Sequence, residues 1–231
     1  MSSLLLRMAR LALYFFWTLS LMPIQWAGLA LGCRWAETLP AFYHRWCCRM
    51  LGFRVRLIGA PTAQRPVLFA ANHVSYTDIT ILGSLIRGSF IAKAEVAKWP
   101  FFGCLAKLQR TVFVDRQIRS AAIQRDAISE RLVGGEALIL FPEGTRGTGA
   151  EVQPFKGGVF HLAESRGDVE LVPAWIDNSY RVMPKGSLFP VPLLCSVTFG
   201  KPVQMVAGEQ KQAFLARLRQ SLMDLEGRDH A

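Results

Sequence analysis

The chain has 231 residues, 51% of them hydrophobic, and carries 27 Lys and Arg against 17 Asp and Glu, a formal net charge of +10. This length suits one core burying roughly 70–75% of the surface that the unfolded chain exposes. The charge suits nucleic acid, anionic lipid headgroups or acidic small substrates on electrostatics alone; with no zinc spacing, basic run or ladder of exposed aromatics and basic residues, nucleic acid is not an expected partner.

The apolar excess lies near the N-terminus. No charged residue occurs from Leu11 to Cys33, and a straight helix over that span is about 34 Å long, enough to cross a hydrocarbon core of about 30 Å. Pro23 and Gln25 interrupt the span, and Arg7, Arg10, Arg34, Arg45 and Arg49 flank it on both sides, so the positive-inside rule selects neither orientation. The expectation is a membrane-embedded or interfacial helical hairpin, re-entrant and broken at Pro23, with both ends cytosolic. A signal peptide with a lipoprotein-like site at Ala30-Leu31-Gly32-Cys33 is the alternative, and the membrane-surface character of the segment after Cys33 argues against it.

From Leu39 to Leu51, Leu39, Phe42, Tyr43, Trp46, Cys47, Met50 and Leu51 fall at helical spacing, with His44, Arg45, Cys48 and Arg49 on the other face. That pattern predicts an amphipathic helix in the headgroup region, or one packed on the soluble domain. Residues 1–60 are read as membrane-anchoring helices and 61–231 as an α/β domain. The cysteines, Cys33, Cys47, Cys48, Cys104 and Cys195, are odd in number and lack metal-ligand spacing, and read as reduced thiols.

Beyond Gly52, short apolar runs predict strands over Arg54–Ile58, Val67–Ala71, Phe90–Ala92, Thr111–Val114, Ala137–Phe141, Glu170–Ile176 and Leu193–Phe199. Helical spacing covers Ile118–Val133 and Lys211–Leu225, the latter closed by Gly227. The order is α/β, with a mixed, largely buried sheet flanked by helices.

The chemistry-bearing residues gather after these strands. His73 follows Val67–Ala71 in the stretch Asn72-His73-Val74-Ser75-Tyr76-Thr77-Asp78. Five positions on a continuous helix would turn His73 and Asp78 to different faces, so they touch only across a bend, such as Ser75 capping a helix that begins at Tyr76. Asp78 would then fix the imidazole tautomer and leave the other ring nitrogen to take a proton from a hydroxyl. A capping-box role for Asp78 and a satisfied, buried His73 fit the spacing equally well. Phe141-Pro142-Glu143-Gly144-Thr145-Arg146 breaks another strand into a polar turn, where an arginine can hold a phosphate through two parallel hydrogen bonds. Lys93 and Asp115-Arg116 follow two further strands, and Phe155-Lys156-Gly157-Gly158 offers another cation or a helix N-terminus. If these strand ends share one edge, they form a basic, hydroxyl-activating site.

Taken in order, Asn72 through Asp78, Lys93 through Gly103, Phe113-Val114-Asp115-Arg116, Phe141 through Arg146 and Val172-Pro173 resemble the motif series of the PlsC-type glycerolipid acyltransferases, whose central members are the 1-acyl-sn-glycerol-3-phosphate acyltransferases. The N-terminal helices are similar to that family's membrane-anchoring pair. The resemblance implies His73 as base, Asp78 as its partner, and Arg116, Glu143, Gly144, Thr145 and Arg146 around the glycerol phosphate, with Lys93 joining them and Pro173 in a loop shaping the acyl site. It implies a thioester co-substrate, acyl-CoA or acyl carrier protein, with no metal and no other cofactor. Arg110 departs from the pattern, standing where the family usually has glycine, three residues before the aromatic of the second motif.

The expected reaction is acyl transfer to the hydroxyl of a lysophosphatidate in an anionic membrane, at the cytoplasmic face of the inner or cell membrane. A lyso-ornithine lipid is the alternative acceptor. A hydrolase using Ser75 or Cys104 lacks a Gly-x-Ser-x-Gly elbow, and the non-enzymatic rival is a peripheral protein binding anionic lipid.

Overall fold

The computed structural model describes residues 3–60, 66–115, 121–149, 151–183 and 190–227. Seven strands, β1 (Arg54–Ile58), β2 (Val67–Ala71), β3 (Gly88–Lys93), β4 (Val112–Val114), β5 (Ala137–Leu140), β6 (Glu170–Ile176) and β7 (Leu194–Phe199), form one sheet in the order β1-β7-β6-β2-β5-β3-β4. Only the β6–β7 pair is antiparallel, so β6, β2, β5, β3 and β4 all end on one edge. The expected runs fall on these strands to within a few residues, and the sheet takes in Arg54–Ile58, ahead of the start at residue 61 expected for the α/β domain.

Both faces are covered because the central strands are apolar on both sides. In β2, Leu68 and Ala70 pack into one core with Leu132 of α5 (Ala121–Val133), Phe160 of α6 (Gly158–Ser165) and Phe214 and Leu218 of α8 (Lys211–Met223). Val67, Phe69 and Ala71 enter the opposite core with Leu51 of α2 (Leu39–Leu51) and Ile81 and Leu82 of α3 (Thr77–Leu85).

The N-terminal pair differs from expectation in two ways. The first helix, α1, runs unbroken from Ser3 to Ala30 with Pro23 inside it, and the chain reverses between Leu31 and Thr38, so the hairpin does not break at Pro23. Proline removes one hydrogen bond, a local loss in a 28-residue helix; Cys33 N–H closes on Gly28 O at 2.8 Å, and a 3₁₀ turn at Arg34–Glu37 makes the reversal. By length and composition, Leu4–Ala30 is sufficient to cross a membrane.

The second difference concerns α2. Its protein-facing side is Ala41, His44, Cys47, Cys48 and Leu51, whereas Phe42 and Trp46 are exposed. The residues assigned to a polar outer face therefore include two that are buried, because a neutral imidazole and a thiol pack as compact apolar groups. Burial holds the His44 imidazole down to about 4. Phe42 and Trp46 instead cluster with Trp17 of α1, with centroids 6.0 Å from that ring. Gln25, the polar residue inside the apolar span, is buried and donates to Ala36 O at 2.8 Å and to Leu108 O at 2.9 Å, the last residue of α4 (Phe102–Leu108).

Arg110 has φ 61°, the left-handed region that glycine enters freely, and for an arginine this conformation costs roughly 1–2 kcal/mol. Its guanidinium reaches Glu136 at 3.1 Å and Glu37 at 3.3 Å. Glu136 precedes β5, so the departure from the motif is engaged at the strand edge opposite Phe141.

α2 packs closely on α3 at Gly83, where a Cβ would lie 2.4 Å from His44 Cδ2. Gly83→Val should lower stability by about 1–3 kcal/mol through overpacking, and Gly83→Val/His44→Ala should recover part of it. Denaturation in detergent measures both.

Candidate active site

β2 ends at Ala71, and the chain must then leave the sheet without orphaning buried backbone donors. Asn72 turns back across the sheet, donating from Nδ2 to Ile176 O at 3.0 Å and accepting the Ile176 N–H at 2.7 Å, which ties the ends of β2 and β6 together. α3 begins at Thr77, one residue later than the helix start expected at Tyr76. Ser75 Oγ accepts from Thr77 Oγ1 at 2.9 Å and from its N–H at 3.3 Å.

His73 and Asp78 meet. His73 Nδ1 lies 2.9 Å from Asp78 Oδ2, and the same oxygen accepts the N–H of Val74 at 2.8 Å and of Ser75 at 2.9 Å. One geometry thus serves the turn and the ring: a fully buried carboxylate holds the backbone N–H groups ahead of α3 and orients the imidazole. With Nδ1 donating to Asp78, Nε2 carries the free lone pair. The ring stacks on Phe141 at 4.0 Å and keeps 16% side-chain exposure, so it is held and yet reachable.

Glu143 holds the backbone of the same turn. One carboxylate oxygen accepts the His73 N–H at 2.9 Å and the other the Gln153 N–H at 2.8 Å, while Gly147 N–H donates to His73 O at 2.7 Å. Burial pushes the Glu143 carboxyl above the usual carboxylate range, and the two backbone donors pull it back towards ionisation. Glu143 is 1% exposed, and with both oxygens taken by backbone donors it acts as a strut for the loop.

The remaining expected residues sort by position. Gly144, at φ 66°, makes the turn, and Thr145 is exposed. Arg146 stacks its guanidinium 3.9 Å over the Tyr76 ring, and Tyr76 meets Trp99 edge-on at 6.3 Å. Among the described residues no carboxylate pairs with Arg146. Lys93 ends β3 on the same edge, half-buried, and Lys156 is exposed. Arg116 lies outside the described residues. Pro173 is not in a loop: it is buried within β6 opposite Ala70 of β2. Its missing N–H is tolerated because β7 pairing stops at Ala174↔Phe199 and the next bridge is Leu171↔Val203, leaving a gap in the ladder at Pro173. Asn72, Phe141, Tyr76 and Gln153 carry no role on sequence grounds; the first three lie inside the quoted motifs, whereas Gln153 acts only through its backbone and leaves no sequence signal. Among the described residues no three His, Cys, Asp or Glu side chains form a metal-ligating group.

A partly exposed, carboxylate-oriented histidine stands at a strand end beside a turn whose arginine pairs with no carboxylate among the described residues, and a family model described as Acyltransferase matches residues 53–177. The chain belongs to the Acyltransferase family. It is 44% identical over 149 residues to proteins named lyso-ornithine lipid O-acyltransferase from Brucella abortus (strain 2308) and Rhizobium meliloti (strain 1021), matches that cover 64% of this chain and 56% and 51% of theirs. It is 37% identical over 162 residues to the 1-acyl-sn-glycerol-3-phosphate acyltransferase of Saccharomyces cerevisiae, covering 66% of this chain and 52% of that one. The chain therefore spans about half the length of these curated relatives. The crystal structure of PlsC, the 1-acyl-sn-glycerophosphate acyltransferase of Thermotoga maritima, superposes with TM-score 0.76 at 25% identity over 99% of this chain and 96% of that one.

Glu143→Gln places an amide donor against one of two backbone donors. The expected loss is about 1–3 kcal/mol of stability, with lowered turnover from a displaced His73, read by denaturation and by steady-state kinetics on the same preparation.

Proposed function

We propose that the protein is a membrane-associated O-acyltransferase that moves a fatty acyl group from a thioester donor to the free hydroxyl of a lysolipid, with His73 as general base. The observation that carries this reading is the 2.9 Å contact from His73 Nδ1 to a fully buried Asp78 oxygen that three donors share, which leaves Nε2 free to accept a proton. Nε2 takes the acceptor's hydroxyl proton as its oxygen attacks the thioester carbonyl. The tetrahedral intermediate collapses, the C–S bond breaks, and the imidazolium returns the proton to the thiolate, yielding ester and free thiol. No acyl-enzyme is needed. The donor is acyl-CoA or acyl carrier protein, either of which suits a chain of net charge +10.

For the acceptor, the greater identity to proteins named lyso-ornithine lipid O-acyltransferase supports a lyso-aminolipid. Lysophosphatidate is the second reading, supported by the Arg146 guanidinium, which lacks a carboxylate partner among the described residues, and by the shared fold of PlsC. Membrane association is supported by the apolar α1 and the exposed Phe42 and Trp46, and the cytoplasmic face is where both donors reside.

His73→Ala should lower turnover by about 10²–10⁴, and near-wild-type acyl transfer by that variant would sink the role of His73. The acceptor is decided by offering purified protein lyso-ornithine lipid and lysophosphatidate with each donor and identifying products by mass spectrometry. Arg146→Ala should weaken use of lysophosphatidate about 10–100-fold, the worth of a charge-assisted contact, and affect a phosphate-free acceptor less.

A further inference from the structure

A second basic site stands apart from His73. A cavity of about 560 Å³ opens where α1, the end of α2 and the starts of β1 and β7 meet, lined by Arg10, Arg49, Gly52, Arg54, Pro192 and Leu194 among others, with no acidic residue in its wall among the described residues. Three arginines from three elements face it, and among the described residues none pairs with a carboxylate.

The arginines are not needed to cap α2. Its last turn is closed by backbone donors, Gly52 N–H to Arg49 O at 3.1 Å and Phe53 N–H to Cys48 O at 2.8 Å, with Gly52 left-handed at φ 82°. Glycine is also required there for space: a Cβ would lie 2.9 Å from Arg10 Nη1 and 2.8 Å from the Pro192 ring. Arg10 is thereby seated over the turn, while Arg49 is steadied 5.1 Å from the Trp46 ring centroid. The wall is built and cationic, and no carboxylate among the described residues compensates its charge.

The surroundings indicate where the counter-charge comes from. Leu4, Leu5, Leu6 and Met8, within two turns before Arg10, are exposed, as are Leu194 on the rim and Trp46 beside Arg49. Because β7 runs antiparallel to β6, the starts of β1 and β7 share the edge on which β2 ends. Three strand spacings separate β1 from β2, so the cavity lies about 14 Å along that edge from the His73 turn. An apolar rim beside a cationic hollow fits a lipid headgroup whose chains stay in the bilayer.

We propose that Arg10, Arg49 and Arg54 bind the phosphate of an anionic phospholipid that is not the acceptor, seating the enzyme beside the lipid it acylates. The proposal rests on the membrane-associated reading above and adds a discrete site to it.

The test uses full-length protein and phosphatidylcholine vesicles with and without phosphatidylglycerol, at matched ionic strength. Wild type should prefer the phosphatidylglycerol vesicles, and Arg10→Gln/Arg49→Gln/Arg54→Gln should lose about tenfold or more of that preference. Arg7→Gln/Arg34→Gln/Arg87→Gln, with the same loss of charge outside the cavity, should keep most of it. Equal losses in the two triples would show diffuse attraction and overturn the site, as would an unaffected cavity variant. Displacement of wild type from vesicles by millimolar inorganic phosphate would make soluble phosphate the ligand and overturn the lipid assignment. Circular dichroism checks folding, and the exposed Arg49→Gln alone should shift the preference in the same direction if the triple does not fold. Acyl transfer by wild type is assayed separately, so a failed reaction with intact phosphatidylglycerol preference counts against the proposed function and not against this site.

Discussion

Two buried carboxylates grip the turn after β2 from two sides. Asp78 takes the imidazole and the N–H groups of Val74 and Ser75, and Glu143 takes the N–H groups of His73 and Gln153. A strand leaving a sheet abruptly exposes backbone donors that the core cannot solvate, and each left unmet costs about 1–3 kcal/mol. Anionic side chains meet that need, and the ring's orientation follows from it. Backbone and ring are therefore held by the same two side chains, and a substitution at Asp78 or Glu143 disturbs both at once.

The sheet makes this turn usable. Five parallel strands deliver their ends to one edge, so residues 70 positions apart, His73 and Glu143, become neighbours without a long connecting loop. The Asn72 bond to Ile176 fixes the spacing of β2 and β6, and the Phe141 ring sets the plane in which His73 lies. Arg146 is positioned by an aromatic face in place of an ion pair, which leaves its donors unclaimed by protein anions among the described residues.

Much of this is legible in the sequence because it is periodic or local. The central strands read as uninterrupted apolar runs since both faces are buried, and the His73–Asp78 contact is inferable from five-residue spacing plus a capping serine. The features that escape a sequence reading depend on tertiary context. Pro23 reads as a breaker, yet a long helix absorbs one missing bond; His44 reads as polar, yet Gly83 leaves it a dry niche against α3. The resemblance puts Pro173 in a loop, whereas the apolar run Glu170–Ile176 already carries it in a strand, and the missing β7 pairing between Ala174 and Leu171 explains how a proline is accommodated there. Arg110 reads as a departure from the glycine of the motif, and its left-handed backbone gives the physical reason why a glycine suits this turn.

The helix α1 is fastened to the rest of the molecule along its length: Arg10 lies over Gly52, Thr18 Oγ1 is 3.0 Å from Tyr43 Oη, and Gln25 bridges Ala36 and Leu108. A strap pinned at three heights cannot swing like a tether. The outward aromatic surface of α1 and α2 and the sheet edge bearing His73 consequently keep one mutual angle, and the tilt at which the protein rests on a lipid surface sets how deep its histidine sits.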